Sequence, residues 1–265
     1  MYDFAYHRPK SVADAAALLK GKEEARPMSG GMTLIPTLKQ RLARPSDIVD
    51  LGAIKELAGV KVEGNNVVIG GMTRHYDVAS SADVKANIPA LASLAGHIGD
   101  PAVRNRGTMG GSVANNDPAA DYPAAVVALN ATITTNTGKH AADDFFKGLF
   151  ETALSEGELI TSISFPKAEK AAYVKFPNPA SRYAMVGVFV AKTAGGVRVA
   201  VTGAGPCVFR VKAMEDALAK NFTSAAIKDI KVPADDLNSD IHGSAEYRAH
   251  LVGVMARRAV DAANK

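Results

Sequence analysis

A single cysteine, Cys207, is all the thiol chemistry that this 265-residue chain offers. That excludes an internal disulfide framework, and it excludes a thiolate cage for a metal or an iron–sulfur cluster built from this chain alone. Any such centre must sit on a partner. Long apolar runs are also missing: nothing approaches the roughly 20 residues that cross a bilayer, so no membrane insertion is expected. Concentrated charge is lacking too. The net charge of +4 is dispersed without a basic block, and aromatic residues make up only 6%, which argues against nucleic-acid binding. The opening residues Met1–Arg8 do not show the basic-then-apolar order of a secretory signal, so a cytoplasmic location is expected. Histidine offers no paired metal spacing among His7, His75, His97, His140, His242 and His250, and Asp143-Asp144 reads as a helix start. No metal site and no catalytic side chain of its own are expected.

What is present is an ordinary globular balance, 47% apolar and 22% charged, in a chain long enough for two or three lobes. In the first segment Ser11 can cap a helix whose Val12, Ala15, Ala16, Leu18 and Leu19 share one face, with Gly21 at its end. A short strand near Ala25–Met28 leads into Ser29-Gly30-Gly31-Met32-Thr33. A helix over Leu34–Leu42 and a buried strand Ile48–Leu51 follow, giving a small βαβ-like lobe. From Gly59 the pattern changes to a hairpin, Val60 to Ile69 through Gly64-Asn65, then helices over Asp77–Lys85 and Pro89–His97. After Arg106-Gly107-Thr108-Met109-Gly110-Gly111-Ser112 come a helix over Asp121–Leu129 and strands at Thr132–Thr134 and Leu159–Phe165. Glu169–Ala172 is the expected boundary to a third lobe, with a hairpin of Ala184–Lys192 and Val197–Thr202 and helices over Val211–Ala219 and Glu246–Ala263. The reading is an α+β fold with lobes at 1–55, 56–168 and 169–265.

The two glycine pairs, Gly30-Gly31 and Gly110-Gly111, lack side chains where backbone N–H groups would approach a bulky anion. Each can cradle phosphate, with Thr33 and Thr108 adding hydroxyls, or can simply be a tight turn. Neither fits the spaced glycines of a Rossmann site or a phosphate loop, because no Lys follows Gly31 or Gly111.

Ser29-Gly30-Gly31-Met32-Thr33 and Thr108-Met109-Gly110-Gly111 resemble, in order and separation, the paired FAD motifs of the medium subunits of the xanthine dehydrogenase and carbon monoxide dehydrogenase family. Gly70-Gly71-Met72-Thr73, Asn115–Asp121 and Tyr247–Ala259 resemble that family as well, so the similarity spans the chain. The resemblance implies a two-lobe FAD-binding domain of the PCMH type followed by an antiparallel sheet with helices. It implies FAD with its diphosphate lined by Pro27, Met28, Ser29, Gly30, Gly31, Met32, Thr33 and Leu34 and by Thr108, Met109, Gly110, Gly111 and Ser112. Asp121 matches an acidic residue that contacts the cofactor, Ile160 falls on a strand that touches it, and Lys175 matches a lysine near the flavin. Tyr183 falls near the ring, where an aromatic stacks or belongs to the core. Met32 and Ser29 stand where relatives often carry His and Ala; without a histidine for covalent attachment, a dissociable FAD is expected.

The function implied is electron transfer within a molybdenum hydroxylase. A large subunit would carry the molybdenum cofactor and a small one two [2Fe–2S] clusters, assembled as a dimer of heterotrimers, while this chain passes electrons onward through FAD. A stand-alone flavin reductase of the wider fold, or an FAD-free scaffold that keeps the glycine loops as turns, are the alternatives. A valine at Gly111 is expected to fill phosphate space and weaken FAD binding more than it unfolds the chain.

Overall fold

A computed structural model describes all residues, 1–265, in three larger sheets and a two-stranded one, with connecting loops that meet at one cleft. The first sheet is small and parallel, with Asp47–Asp50 between Ala5–His7 and Arg26–Met28. Its crossover helix, Val12–Lys20, begins where Ser11 Oγ accepts the Asp14 N–H at 3.1 Å, satisfying an N–H that the helix itself leaves open. Ala15 and Leu19 bury one face of that helix against Val49, Leu51, Ile54 and Leu57. The helix after the first glycine loop is shorter than its apolar pattern suggests. It spans Leu34–Lys39, and Arg41 turns the chain out at φ 59°, ahead of Pro45.

The second sheet is antiparallel and five-stranded, in the spatial order Val60–Glu63, Asn66–Gly70, Ile160–Pro166, Thr132–Thr135 and Lys139–Ala141. Its central strand comes last in the chain, so the sheet is complete only once the helical stretch between is in place. The expected helix over Asp77–Lys85 is two helices, His75–Ser80 and Ala82–Asn87. Ser81 leaves the first at ψ 126° and caps the second by accepting the Val84 N–H. With Pro89–Gly96, Met109–Asn115 and Tyr122–Ala128 these helices bury the largest core, which includes Ile69, Leu91, Leu94, Met109, Tyr122, Val126, Ile133 and Phe165. Each fully buried apolar side chain of this size contributes roughly 1.5–3 kcal/mol by leaving water.

The third sheet, Lys170–Pro177, Ala184–Thr193, Gly196–Thr202 and Phe209–Arg210, is antiparallel throughout. At Glu169–Ala172, the expected boundary to this lobe, the chain enters its first strand. Strand Ala184–Thr193 is apolar without alternation because both its faces are covered. Val186, Val188 and Val190 pack under the helices Lys212–Lys220 and Ala245–Ala263, while Phe189 and Ala191 join the core beneath Tyr122–Ala128. The last helix therefore places Leu251, Met255 and Val260 in the third lobe's own core. Arg248, also buried, ties that helix to the sheet by donating to the carbonyls of Met185 (2.7 Å) and Gly203 (3.1 Å) and to Asp240 (2.8 Å). No helix is long and apolar enough to cross a membrane.

Candidate cofactor site

The cleft where the sheets' loops meet has a volume of about 830 Å³, within the span of roughly 300–1,000 Å³ usual for small-molecule sites. Each wall comes from a different part of the chain. Strand Arg26–Met28 runs straight into the first glycine loop, and Arg26 to Leu34 form one wall with Thr37. His75, Ile98–Asp100, Gly107, Thr108 and one face of the helix Met109–Asn115 form the second, continuing through Asp117, Ala120 and Asp121. Phe150 and the loop Ala180–Tyr183 complete the lining.

The two glycine loops touch. A Cβ on Gly30 would lie 2.0 Å from the Arg106 carbonyl oxygen, so only glycine lets the first loop close on the backbone that precedes the second. Gly31 takes φ 73°, in the left-handed region that glycine adopts without strain. None of the N–H groups of Gly30, Gly31, Met32, Thr33 and Leu34 meets an acceptor within the chain. Consecutive free donors of this kind form an anion-binding concavity. Hydroxyls of Ser29, Thr33 and Ser112 lie along the same cleft.

The second loop is built differently. The Met109 N–H donates to the Thr73 carbonyl at 3.0 Å and the Gly110 N–H to the Gly71 carbonyl at 2.8 Å, while Gly111 donates to Thr108 Oγ1 at 3.2 Å. Of the residues from Thr108 to Ser112 expected beside a diphosphate, Thr108, Gly111 and Ser112 line the cleft, whereas the N–H groups of Met109 and Gly110 are taken by the chain itself. Met109 and Gly110 are buried behind the wall and do not line the cleft. The space at Gly111 is also not empty: a Cβ there would lie 2.9 Å from Thr108 Oγ1 and 3.3 Å from Ser29 Cβ, against the first loop. Sequence spacing could not separate a glycine needed for packing from one needed for access.

Of the other residues singled out, Asp121 and Tyr183 line the cleft, whereas Ile160 and Lys175 do not. Ile160 is buried on the central strand, its carbonyl pressed toward Gly71. Lys175 pairs with Asp121. Its ammonium lies 3.0 Å from Asp121 Oδ1 and 2.9 Å from the His97 carbonyl, and the Tyr173 hydroxyl donates to the same Oδ1 at 2.5 Å. Burial pushes the Asp121 carboxyl up, opposed by the Lys175 charge and these hydrogen bonds, and burial with the Asp121 charge drives the Tyr173 hydroxyl well up. Tyr183 belongs to the wall and not to the core, being 46% exposed. Asn178 Oδ1 accepts the N–H groups of Ala180 (2.9 Å) and Ser181 (3.1 Å), and Arg182 at φ 63° completes the turn that presents the ring. Burial and the charges of Asp117 and Asp121 raise the Tyr183 hydroxyl, so it stays protonated.

Sequence reasoning missed His75 and Phe150. His75 was considered only for metal spacing; it is buried against Tyr122 with no partner for Nδ1, and burial followed by the Arg104 charge lowers it to about 4. Arg104 itself donates to the carbonyls of Ile98 (3.0 Å) and Gly99 (3.1 Å), and Asp100 caps Pro101–Arg104 through the Val103 N–H. These contacts shape the second wall. Cys207 lies outside the lining, its thiol raised by burial.

Residues 2–168, which carry both glycine loops, match the family described as FAD binding domain in molybdopterin dehydrogenase. The chain belongs to the FAD-binding medium subunits of the molybdenum hydroxylases. Residues 171–263 match the CO dehydrogenase flavoprotein C-terminal domain. The carbon monoxide dehydrogenase medium chain of Hydrogenophaga pseudoflava is 36% identical, over 98% of this chain and 96% of its own length. The glyceraldehyde dehydrogenase medium chain of Sulfolobus acidocaldarius is 37% identical over 97% of each. Among solved structures, reconstituted CO dehydrogenase from Oligotropha carboxidovorans superposes with a TM-score of 0.89 at 36% identity, covering 99% of this chain and 98% of that one. The cofactor of this subunit is FAD, and its place is in a multi-subunit dehydrogenase whose molybdenum and iron–sulfur centres belong to partner subunits. The cleft suits such a ligand in having anion donors at one end and the exposed aromatics Phe150 and Tyr183 in its lining.

Proposed function

We propose that the cleft holds one FAD noncovalently, with its diphosphate on the free N–H groups of Gly30 to Leu34 and on the Ser112 hydroxyl. Those adjacent donors carry the reading, because a turn kept only for packing has no reason to leave them unpaired at a cleft wall. Ser29, Pro27 and Met28 position the first loop. Thr108, Met109, Gly110 and Gly111 hold the second against it, Ile160 supports Gly71 beneath, and Lys175 fixes the Asp121 carboxylate that faces the cofactor. Tyr183 covers the ring. Met32 stands at the mouth and offers no nucleophile for a covalent bond.

When bound, FAD supplies exchange of electrons singly or in pairs, which couples [2Fe–2S] clusters to an external acceptor. The chain's residues contribute binding, orientation and a neutral surrounding of buried tyrosine hydroxyls. The lobes 1–55, 56–168 and 169–265 each furnish one part of the wall, and we place the subunit in a cytoplasmic dimer of heterotrimers. Titrating apo protein with FAD and following flavin fluorescence tests the reading: saturation at one FAD per chain is expected, with the colour released on acid precipitation. No saturable binding overturns it, and flavin retained in the pellet overturns the noncovalent part.

A further inference from the structure

Phe150 sits where a large side chain is poorly tolerated. It occupies the second position of a two-residue turn, Leu149-Phe150, that joins the short paired strands Phe146–Gly148 and Glu151–Thr152. Its φ of 56° lies in the left-handed region, which glycine takes freely and a bulky residue does not. The ring nevertheless is 57% exposed and lines the cleft.

The turn is held in that shape from below. Asn116, buried and itself at φ 43°, donates from Nδ2 to the carbonyls of Gly148 and Glu151, both at 2.8 Å, and its own carbonyl accepts the Phe150 N–H at 3.3 Å. An unfavourable backbone persists only where its surroundings over-determine it, and such positions cluster at ligand sites. Here what is fixed is the position of one aromatic ring.

Its position along the cleft identifies what the ring meets. The helix Met109–Asn115 starts beside the first glycine loop, where Gly111 faces Ser29, and ends at Asn116, which holds Phe150. Asp117 follows directly, and its charge acts on the Tyr183 hydroxyl. Phe150, held at the far end of that helix, and Tyr183, near enough to Asp117 to be affected by its charge, both line the cleft. Each is an exposed aromatic presented by an asparagine-clamped turn with a left-handed residue, Phe150 itself in one and Arg182 in the other.

We propose that Phe150 is a cofactor-contacting residue that walls the isoalloxazine end of the cleft together with Tyr183. This rests on the cleft being the FAD site. Aromatic surface there stabilises the bound flavin by stacking or edge contact and keeps water from it.

The test compares the full wild-type chain with Phe150→Gly and Phe150→Tyr. Glycine relieves the left-handed backbone, so the apo melting temperature of Phe150→Gly should be unchanged or higher, while its Kd for FAD rises about tenfold and bound-flavin fluorescence increases. Phe150→Tyr should restore both. ADP, which has the diphosphate but no flavin, should compete equally well against a fluorescent nucleotide in wild type and Phe150→Gly. Unchanged FAD affinity and spectrum in Phe150→Gly overturn the proposal, also when only assembly with partner subunits is weakened. Equal loss of FAD and ADP affinity overturns it as well, since the ring would then serve the nucleotide end. A wild-type chain that binds no FAD overturns the site reading itself, which separates the two failures.

Discussion

The Lys175 ammonium lies 3.0 Å from Asp121 Oδ1, joining the first strand of the third sheet to the residue before the helix Tyr122–Ala128, with both side chains nearly buried. Removing one member leaves the other charge uncompensated in the interior, whereas removing both does not. Lys175→Met should therefore destabilise the apo chain by roughly 3 kcal/mol in urea titration. The double variant Lys175→Met/Asp121→Asn should recover much of that loss while still binding FAD weakly. If the double variant is as unstable as the single one, the pair is not what holds the two lobes together.

Gly30 and Gly111 serve the same contact from opposite sides and are not equally replaceable. At Gly30 a methyl group would collide with backbone, the Arg106 carbonyl at 2.0 Å, which can yield only if the loops separate. At Gly111 the nearest atom is the Thr108 hydroxyl at 2.9 Å, part of a side chain that can rotate at the expense of its hydrogen bond to the Gly111 N–H. Gly30→Ala should weaken FAD binding at least tenfold and lower the apo melting temperature, and Gly111→Ala should do both to a smaller degree. Calorimetric FAD titration and thermal melting of the two variants give the ranking, and the reverse order would contradict the loop geometry.

These two glycines also mark how far the sequence could be read. Helix and strand periodicity placed Ala184–Thr193, Gly196–Thr202 and Ala245–Ala263 within a residue or two, because burial on one or both faces dictates residue type directly. The first glycine loop was legible by its motif. The second was legible as a motif but not in its role, since whether an N–H faces a ligand or the Gly71 and Thr73 carbonyls depends on chain from far upstream. Reading Glu169–Ala172 as a lobe boundary left the strand Lys170–Pro177 undrawn, although Lys170 pairs across to Lys192. Phe150 left no local signal. An apolar residue in a turn has no period, and the asparagine that fixes it lies far upstream, at the C-terminal cap of the helix Met109–Asn115.

His75 makes a pH prediction with a definite sign. Its folded value, lowered to about 4 by burial and then by Arg104, lies below the 6.5 of an exposed imidazole, so the unfolded chain binds the proton more readily. Nothing is contributed above pH 6.5; stability falls as pH drops from there toward 4 and levels off below, a loss of roughly 3 kcal/mol in all. Carboxylates held low in the fold, such as Glu158 at about 2, add their own loss as pH falls from their ordinary value of 4.5 toward 2. The difference between wild type and His75→Asn therefore isolates the histidine between pH 6.5 and 4.5. Parallel acid profiles for the two proteins in that window would show that His75 is not kept neutral by its surroundings.

The isolated chain should have no hydroxylase activity, and its flavin should be reduced by substrate only when partner subunits are present. The argument runs from what the chain's own residues can bind. One cysteine, outside the cleft and with its thiol raised by burial, cannot ligate a cluster, and electrons must reach the flavin from an iron–sulfur centre carried by another chain. In the proposed reading FAD takes up the cleft from the donors of the first glycine loop to Tyr183, which leaves no separate substrate site there. Anaerobic stopped-flow mixing with carbon monoxide, aldehydes, purines and other N-heterocycles should leave the flavin absorbance of the isolated holo-chain unchanged. The same mixing with the assembled complex and its proper substrate should bleach it within the turnover time, and a chemical reductant such as dithionite should bleach both. Rapid bleaching of the isolated chain by any of these substrates would mean that it carries its own substrate site, and the subunit reading would give way to a self-contained flavoenzyme.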